Sequence, residues 1–357
     1  MTSRTNSKGG KPDELDDLIE IPRLPSPPPH LTHASRGVHI PSFASFQPRD
    51  LRFTSAHPVT HVAWSCDGRR LASVGIDKAV RLWTPEKSLE PRSAVQYVGG
   101  HDYDVDYVTW NPTHPELFCS SSQRDRKIVF WDARQSRYVQ SYTHHQVPTQ
   151  INYAPNGKTI CIVTLSNQLS FMQYEQGENE SKPQWNFVKR EPCMASTALF
   201  NHSGDGLALS FYRSNTLIIM DYPSLTIREQ PAAHVGGCLA VALDPRGRYL
   251  ASGGNDSIVN LFDMTEWICV NTITACEDSI NALSFSHDGE YLAIASQGSY
   301  IDICAVETGR SLHRVPTIGP APAVTWHPSK YVFAYCGQQN REGTPQIAFL
   351  SLFGPGM

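Results

Sequence analysis

The chain is 357 residues long, 40% hydrophobic, and carries a net charge of −4. That apolar content suffices for a sizeable core, and the acidic balance argues against a generally basic nucleic-acid surface. No apolar run reaches the length of a membrane span, and the opening MTSRTNSKGGKPDELDD lacks the apolar stretch of a secretion signal, so the chain is expected inside the cell with no membrane contact.

Residues 1–45 differ in character from the rest of the chain. They hold a basic start, the acidic cluster DELDDLIE and the proline-rich run IPRLPSPPP. Proline cannot join sheet ladders or helix interiors, and the apolar content is too low for a core. The expectation is a disordered tail over 1–45 and one closed domain over 46–357.

From about residue 50 the chain repeats. A large apolar residue ends one strand of each unit: Trp64, Trp110, Tyr153, Phe200, Leu243, Phe285 and Trp326, at intervals of 41–47 residues. Repeats of ~40–45 residues are the period of four-stranded propeller blades. Each anchor precedes a polar turn: SCDG, NPTHP, APNG, NHSGDG, DPRG, SHDG and HPS. Asn, Asp and Gly accept the left-handed backbone of a tight hairpin. A second short apolar strand comes after each turn (RLASVG, LFCSSS, TICIVT and so on), and then a third (AVRLW, KIVFWD, LSFMQ). Helical spacing persists nowhere, so the fold class is all-β, a seven-bladed propeller. The last unit offers three strands, and its fourth is expected from the N-terminal side near LRFTSAH, residues 51–57. Closure of that kind removes a free sheet edge.

A polar pattern recurs on this frame. His57, Ser73, Asp77 and Trp83 mark the first unit; His101, Ser121, Asp125 and Trp131 mark the second; His234, Ser252 and Asp256 mark the fifth, with Phe262 in place of Trp. A chain of such side chains can satisfy buried donors and acceptors in one network. Catalysis by His, Ser and Asp is disfavoured because the pattern repeats and no oxyanion-hole or nucleophile signature accompanies it. No phosphate loop, dinucleotide fingerprint or zinc-protease motif is present. His144 and His145 lack a third ligand nearby, and the nine cysteines lack zinc-site spacing. No metal or cofactor is therefore expected, and the cysteines should be reduced and packed as small hydrophobes.

The Gly-His and Trp-Asp ends of these units resemble those of the WD-repeat propellers, over residues 51–353. A narrower resemblance rests on HVAWSCDGRRLAS, LSFSHDGEYLAIAS, YIDICAVETG, VTWHP and the closing LFG. These strings are similar to those of the subunit-3 family of the THO complex. That resemblance implies a non-catalytic, nuclear scaffold in the THO and TREX assemblies, which couple transcription to mRNA packaging and export. It implies other THO/TREX subunits as partners, mRNA contacted indirectly, and no small-molecule substrate. An adaptor of another nuclear complex, chromatin-modifying or ubiquitin-ligase, is the alternative.

Two features depart from the pattern. Met172 and Met220 stand where Trp is expected in the third and fourth units, and the insertion EQGENESKPQW lengthens the third. Loops carry binding residues on such scaffolds. Ile76, Tyr103, Arg124, Arg213 and Asn255 are the candidate partner contacts. The run Gln123–Lys127 is the most basic short segment of the ring and the candidate for direct RNA contact.

Overall fold

The computed structural model describes residues 41–53, 58–88, 90–176, 183–339 and 347–355. These form seven antiparallel four-stranded sheets, with no α-helix among the described residues. Blades 1 to 6 run outward in chain order over residues 59–97, 107–143, 148–192, 197–229, 238–273 and 280–316. In blade 7 the inner three strands are Ala323–Trp326, Phe333–Gln339 and Ile347–Gly354, and the outermost is Gln47–Phe53. Gln47 pairs with Gly354 and Phe53 with Ala348, so the two ends of the fold share one sheet. The strand expected near 51–57 is present but begins earlier. Phe43–Ser45 form a 3-10 turn, and Phe43 is buried, edge-on to Tyr291 with ring centroids 4.8 Å apart. The ordered ring thus starts before residue 46, because a single apolar anchor suffices where average composition signals none.

Each apolar anchor read from the sequence closes an innermost strand, from Val59–Trp64 to Ala323–Trp326. The reason is visible between blades. The Trp110 indole donates to the Ala63 carbonyl of blade 1 at 2.9 Å, and the Trp64 indole donates to Thr325 of blade 7 at 3.3 Å. The polar turns behind the anchors interlock as well. The Asn111 amide donates to the Gly157 carbonyl at 2.8 Å, and His327 bonds the Gly68 carbonyl at 3.0 Å. Gly68 has φ +72°, and a Cβ there would lie 2.3 Å from the His327 ring, so glycine is required on both counts.

The core is a belt. Seven apolar clusters lie one between each pair of neighbouring blades. Trp131, 1% exposed, packs with Val74, Leu82 and Tyr97 of blade 1. Phe171 of blade 3 packs with Leu207 and Leu209 of blade 4. Losing a fully buried aromatic from such a seam costs about 3–5 kcal/mol. Six cysteines are buried, while Cys66 and Cys269 are exposed; all nine are free. Burial pushes the Cys238 thiol up to about 12, which suppresses the reactive thiolate.

Blade 3 carries an outer strand that sequence patterning misses. Gln184–Pro192 pairs with Gln168–Glu175, and Trp185 stacks on Phe130 of blade 2 with centroids 4.9 Å apart. Gln140 exchanges two 2.8 Å hydrogen bonds with the Trp185 backbone. The insertion is thus the hairpin feeding this strand, and its residues 177–182 lie outside the described residues.

Candidate functional site

Strand alternation gathers two sets of loops at one end of the ring: the connections into each innermost strand and the hairpins between second and third strands. This end carries the recurring polar pattern. In blade 2, His101 Nδ1 lies 3.2 Å from Asp125 Oδ2, and His101 Nε2 lies 2.8 Å from Ser120 Oγ. Ser120 Oγ also accepts the Trp131 indole N–H at 2.8 Å. A single proton order satisfies all members: Trp to Ser, Ser to His, His to Asp.

The serine of this relay is Ser120, not Ser121. Counting four residues back from the turn aspartate, as blade 1 suggests, lands on Ser121. The blade 2 hairpin is one residue longer, and a one-residue shift moves a side chain to the opposite sheet face. The Ser121 hydroxyl is buried without a hydrogen-bond partner.

Asp125 also organises backbone. Its Oδ1 accepts the Lys127 N–H at 2.8 Å, and its Oδ2 accepts the Asp102 N–H at 3.0 Å. The first bond offsets the left-handed φ of Arg126, +60°. Burial opposes charge on Asp125, but hydrogen bonds from His101 and these backbone groups outweigh it and hold the carboxyl below its ordinary value.

Blade 5 repeats the arrangement: His234 lies 3.1 Å from Asp256 and 2.8 Å from Ser252, and Asp256 accepts the Val235 N–H at 3.0 Å. With Phe262 in place of Trp, the relay ends at Ser252. In blade 1 the Trp83 indole donates to Ser73 at 2.9 Å, and Asp77 is ion-paired with Arg81. His57 lies outside the described residues. Blades 3 and 4 place Ile162 and Leu209 where the serine stands, by pairing register. His144 instead holds the Gln146 backbone, accepting its N–H at 3.1 Å.

Blade 6 has a substitute that motif reading overlooks. Asp302, fully buried, receives a two-point contact from Arg314 at 2.9 and 3.0 Å, and Cys276 Sγ lies 3.5 Å away. The Arg314 guanidinium also covers the Tyr300 ring at 4.0 Å. Fixed planar donors of this kind match a carboxylate. The Asp of YIDIC and the Arg of SLHRV are the only signals in the sequence.

The five candidate contact residues all lie at this end. Arg124 stacks over Tyr103 at 4.7 Å and pairs with Asp104 at 3.6 Å, while Lys78 lies 5.6 Å from the same ring. Ile76 is half-buried beside them. Arg213 stacks on Tyr212, and Asn255 accepts the Ser279 hydroxyl at 2.6 Å. The geometry therefore yields a blade 1–2 group and a separate blade 4–5 group. The basic run 123–127 is occupied internally: Lys127 pairs with Asp102 at 2.5 Å, and Arg126 donates to His145 O at 3.3 Å.

A central cavity of about 560 Å³ is lined by innermost strands and contains His61, Tyr107, Gln150, Asn281, His287 and His327 among its polar residues. No carboxylate, lysine, arginine or cysteine lines it among the described residues. Burial lowers the His61 imidazole to about 4, leaving it neutral and stacked on Tyr107 at 3.9 Å. Among the described residues no group of three or more His, Cys, Asp or Glu is placed to hold a metal, and no helix is long and apolar enough to cross a membrane.

Seven closed blades, with a complete His–Ser–Asp–Trp relay in blade 2 and parts of it in blades 1 and 5, define a WD-repeat β-propeller, a class that typically scaffolds other proteins. The family described as WD domain, G-beta repeat matches residues 49–84, 92–132, 226–263 and 267–301. The Swd1 β-propeller domain of Myceliophteria thermophila superposes with a TM-score of 0.65 at 18% identity, covering 84% of this chain and 98% of that one. The WD repeat-containing protein AAC3 of Dictyostelium discoideum is 25% identical over 79% of this chain and 62% of its own length. THO complex subunit 3 of Arabidopsis thaliana is 31% identical over 78% of this chain and 86% of its own length. The chain belongs to the THO complex subunit 3 family.

Proposed function

We propose that this propeller is a non-catalytic subunit of a nuclear THO assembly. In that role it holds other subunits while transcription is coupled to mRNA packaging and export within TREX. The observation that carries the proposal is the 31% identity to a THO complex subunit 3 across 86% of that relative. The ring suits the role physically. Its loops are held by buried relays and cross-blade hydrogen bonds, so little ordering entropy is lost on docking. Contact with mRNA is indirect in this proposal, because the most basic loop spends its cations on Asp102, Asp104 and a backbone carbonyl, and free phosphate binding needs unpaired cations.

Affinity purification of the tagged full-length chain from nuclear extract tests the proposal. Recovery of THO subunits is expected. Recovery of only methyltransferase or ubiquitin-ligase subunits overturns it in favour of an adaptor of another nuclear complex.

A further inference from the structure

The loop-bearing end of the ring changes character around its circumference. Over blades 1 and 2 it presents Lys78, Asp102, Asp104, Arg124 and Lys127, largely paired with one another. Over blades 3 to 5 the corresponding loops present Leu165, Met194, Tyr212 and Val235, which are 67, 55, 47 and 88% exposed. Their loops are bonded in sequence around the ring. Cys193 N donates to Asn167 O, Ser196 N to Ser210 O and Cys238 N to Ser214 O, while Gly237 sits against the Tyr212 carbonyl. Adjoining loops therefore carry the four side chains along one rim, which makes this arc the apolar ridge of the ring. Contiguous exposed apolar surface with a polar rim marks an interaction site.

Two features state what the occupant must be. Arg213 lies over the ring of Tyr212 at 5.1 Å, and Arg190 is exposed on the outermost strand of blade 3; neither has an ion pair among the described residues. Several backbone groups of these loops are already bonded within the ring, which favours recognition by side chains over strand addition. The ridge is also aimed: the Val235 N–H is held by Asp256, itself held by His234.

We propose that this ridge seats an acidic, apolar-faced segment of a partner subunit, with its carboxylates toward Arg190 and Arg213. The identity of that partner as a THO subunit rests on the function proposed above. Apolar anchors supply the affinity, and the arginines add specificity and salt dependence.

A benzophenone-bearing residue at position 235 of the full-length chain, photolysed after nuclear purification, tests this. The expected cross-link falls in an Asp/Glu-rich segment of a THO subunit. Combining Leu165→Glu and Val235→Glu, or reversing charge with Arg213→Glu, is expected to lower recovery of that subunit at least ten-fold, with an unchanged melting temperature. Cross-linking to an uncharged or basic segment, or to this chain's own DELDDLIE at residues 13–20, overturns the proposal. So does undiminished recovery of THO subunits by the variants, which leaves the functional assignment standing. A cross-link to an acidic segment of a protein outside THO supports the ridge and overturns that assignment instead.

Discussion

Blades 2 and 3 are neighbours in the ring and solve the same problem with different chemistry. Blade 2 fixes its loops with the buried relay through Trp131, Ser120, His101 and Asp125. Blade 3 puts Ile162 and Met172 at the serine and tryptophan positions, and its hairpin turns on Ser166 and Asn167. Asn167 takes φ +57°, which asparagine tolerates without an aspartate bridge. It also gains the long outer strand whose Trp185 stacks back on Phe130. Polar networks fix one geometry but fail when a member is lost, whereas apolar packing degrades gradually. The rims differ accordingly: charged and self-paired over blade 2, with exposed apolar side chains over blades 3 to 5.

The largest expected effect is at the heart of the blade 2 relay. Asp125→Ala leaves the His101 Nδ1–H and two backbone N–H groups without their acceptor and should cost about 3 kcal/mol in urea unfolding. Ser166→Ala, at the matching turn of blade 3, should change stability by less than about 0.5 kcal/mol. Equal losses at the two positions would erase the distinction between the blades.

The serine assignment gives a finer cut. Ser120→Ala should cost about 1–2 kcal/mol, because it strands both the Trp131 indole and His101. Ser121→Ala removes a buried hydroxyl that has no partner and should be neutral or slightly stabilising by thermal melting. The reverse order would restore Ser121 to the relay.

Acid separates the two halves of the central cavity. Burial holds His61 of blade 1 at about 4, against roughly 6.5 for an unfolded histidine. As pH falls below 6.5 the unfolded chain takes up a proton that the folded chain refuses. The contribution is complete above 6.5 and is lost progressively toward pH 4. The same position in blade 3 is Gln150, which cannot titrate. A urea midpoint measured from pH 7 to 4.5 should flatten in His61→Gln relative to the unaltered chain.

The smallest stability effect is expected on the apolar rim. Val235→Glu should shift the melting temperature negligibly, since the side chain is 88% exposed. A loss of more than about 1 kcal/mol would mean that the ridge packs within the fold.

Legibility in the sequence tracks the range of the interactions. The seven anchors and their turns are readable because each marks a hairpin made from adjacent residues, and all seven close innermost strands. Ser120 is misplaced by one because the hairpin length is visible only when register is known. The Arg314–Asp302–Cys276 cluster joins residues 12 and 26 positions apart with no repeated spacing to announce it. Phe43 is lost in a proline-rich background, although its ring lies against Tyr291 and Trp326. The apolar ridge escapes notice because Leu165, Met194, Tyr212 and Val235 come from four separate loops.

The shared terminal blade has a consequence for how the molecule comes into being. Asp50 receives the Ser351 hydroxyl from 301 positions away, so the strand Gln47–Phe53 has no mate until the six intervening blades have been synthesised. Such distant pairing is slow. This strand is made before all six other blades yet seated after them, and until then the nascent arc exposes a raw flank that invites chaperones or a foreign strand.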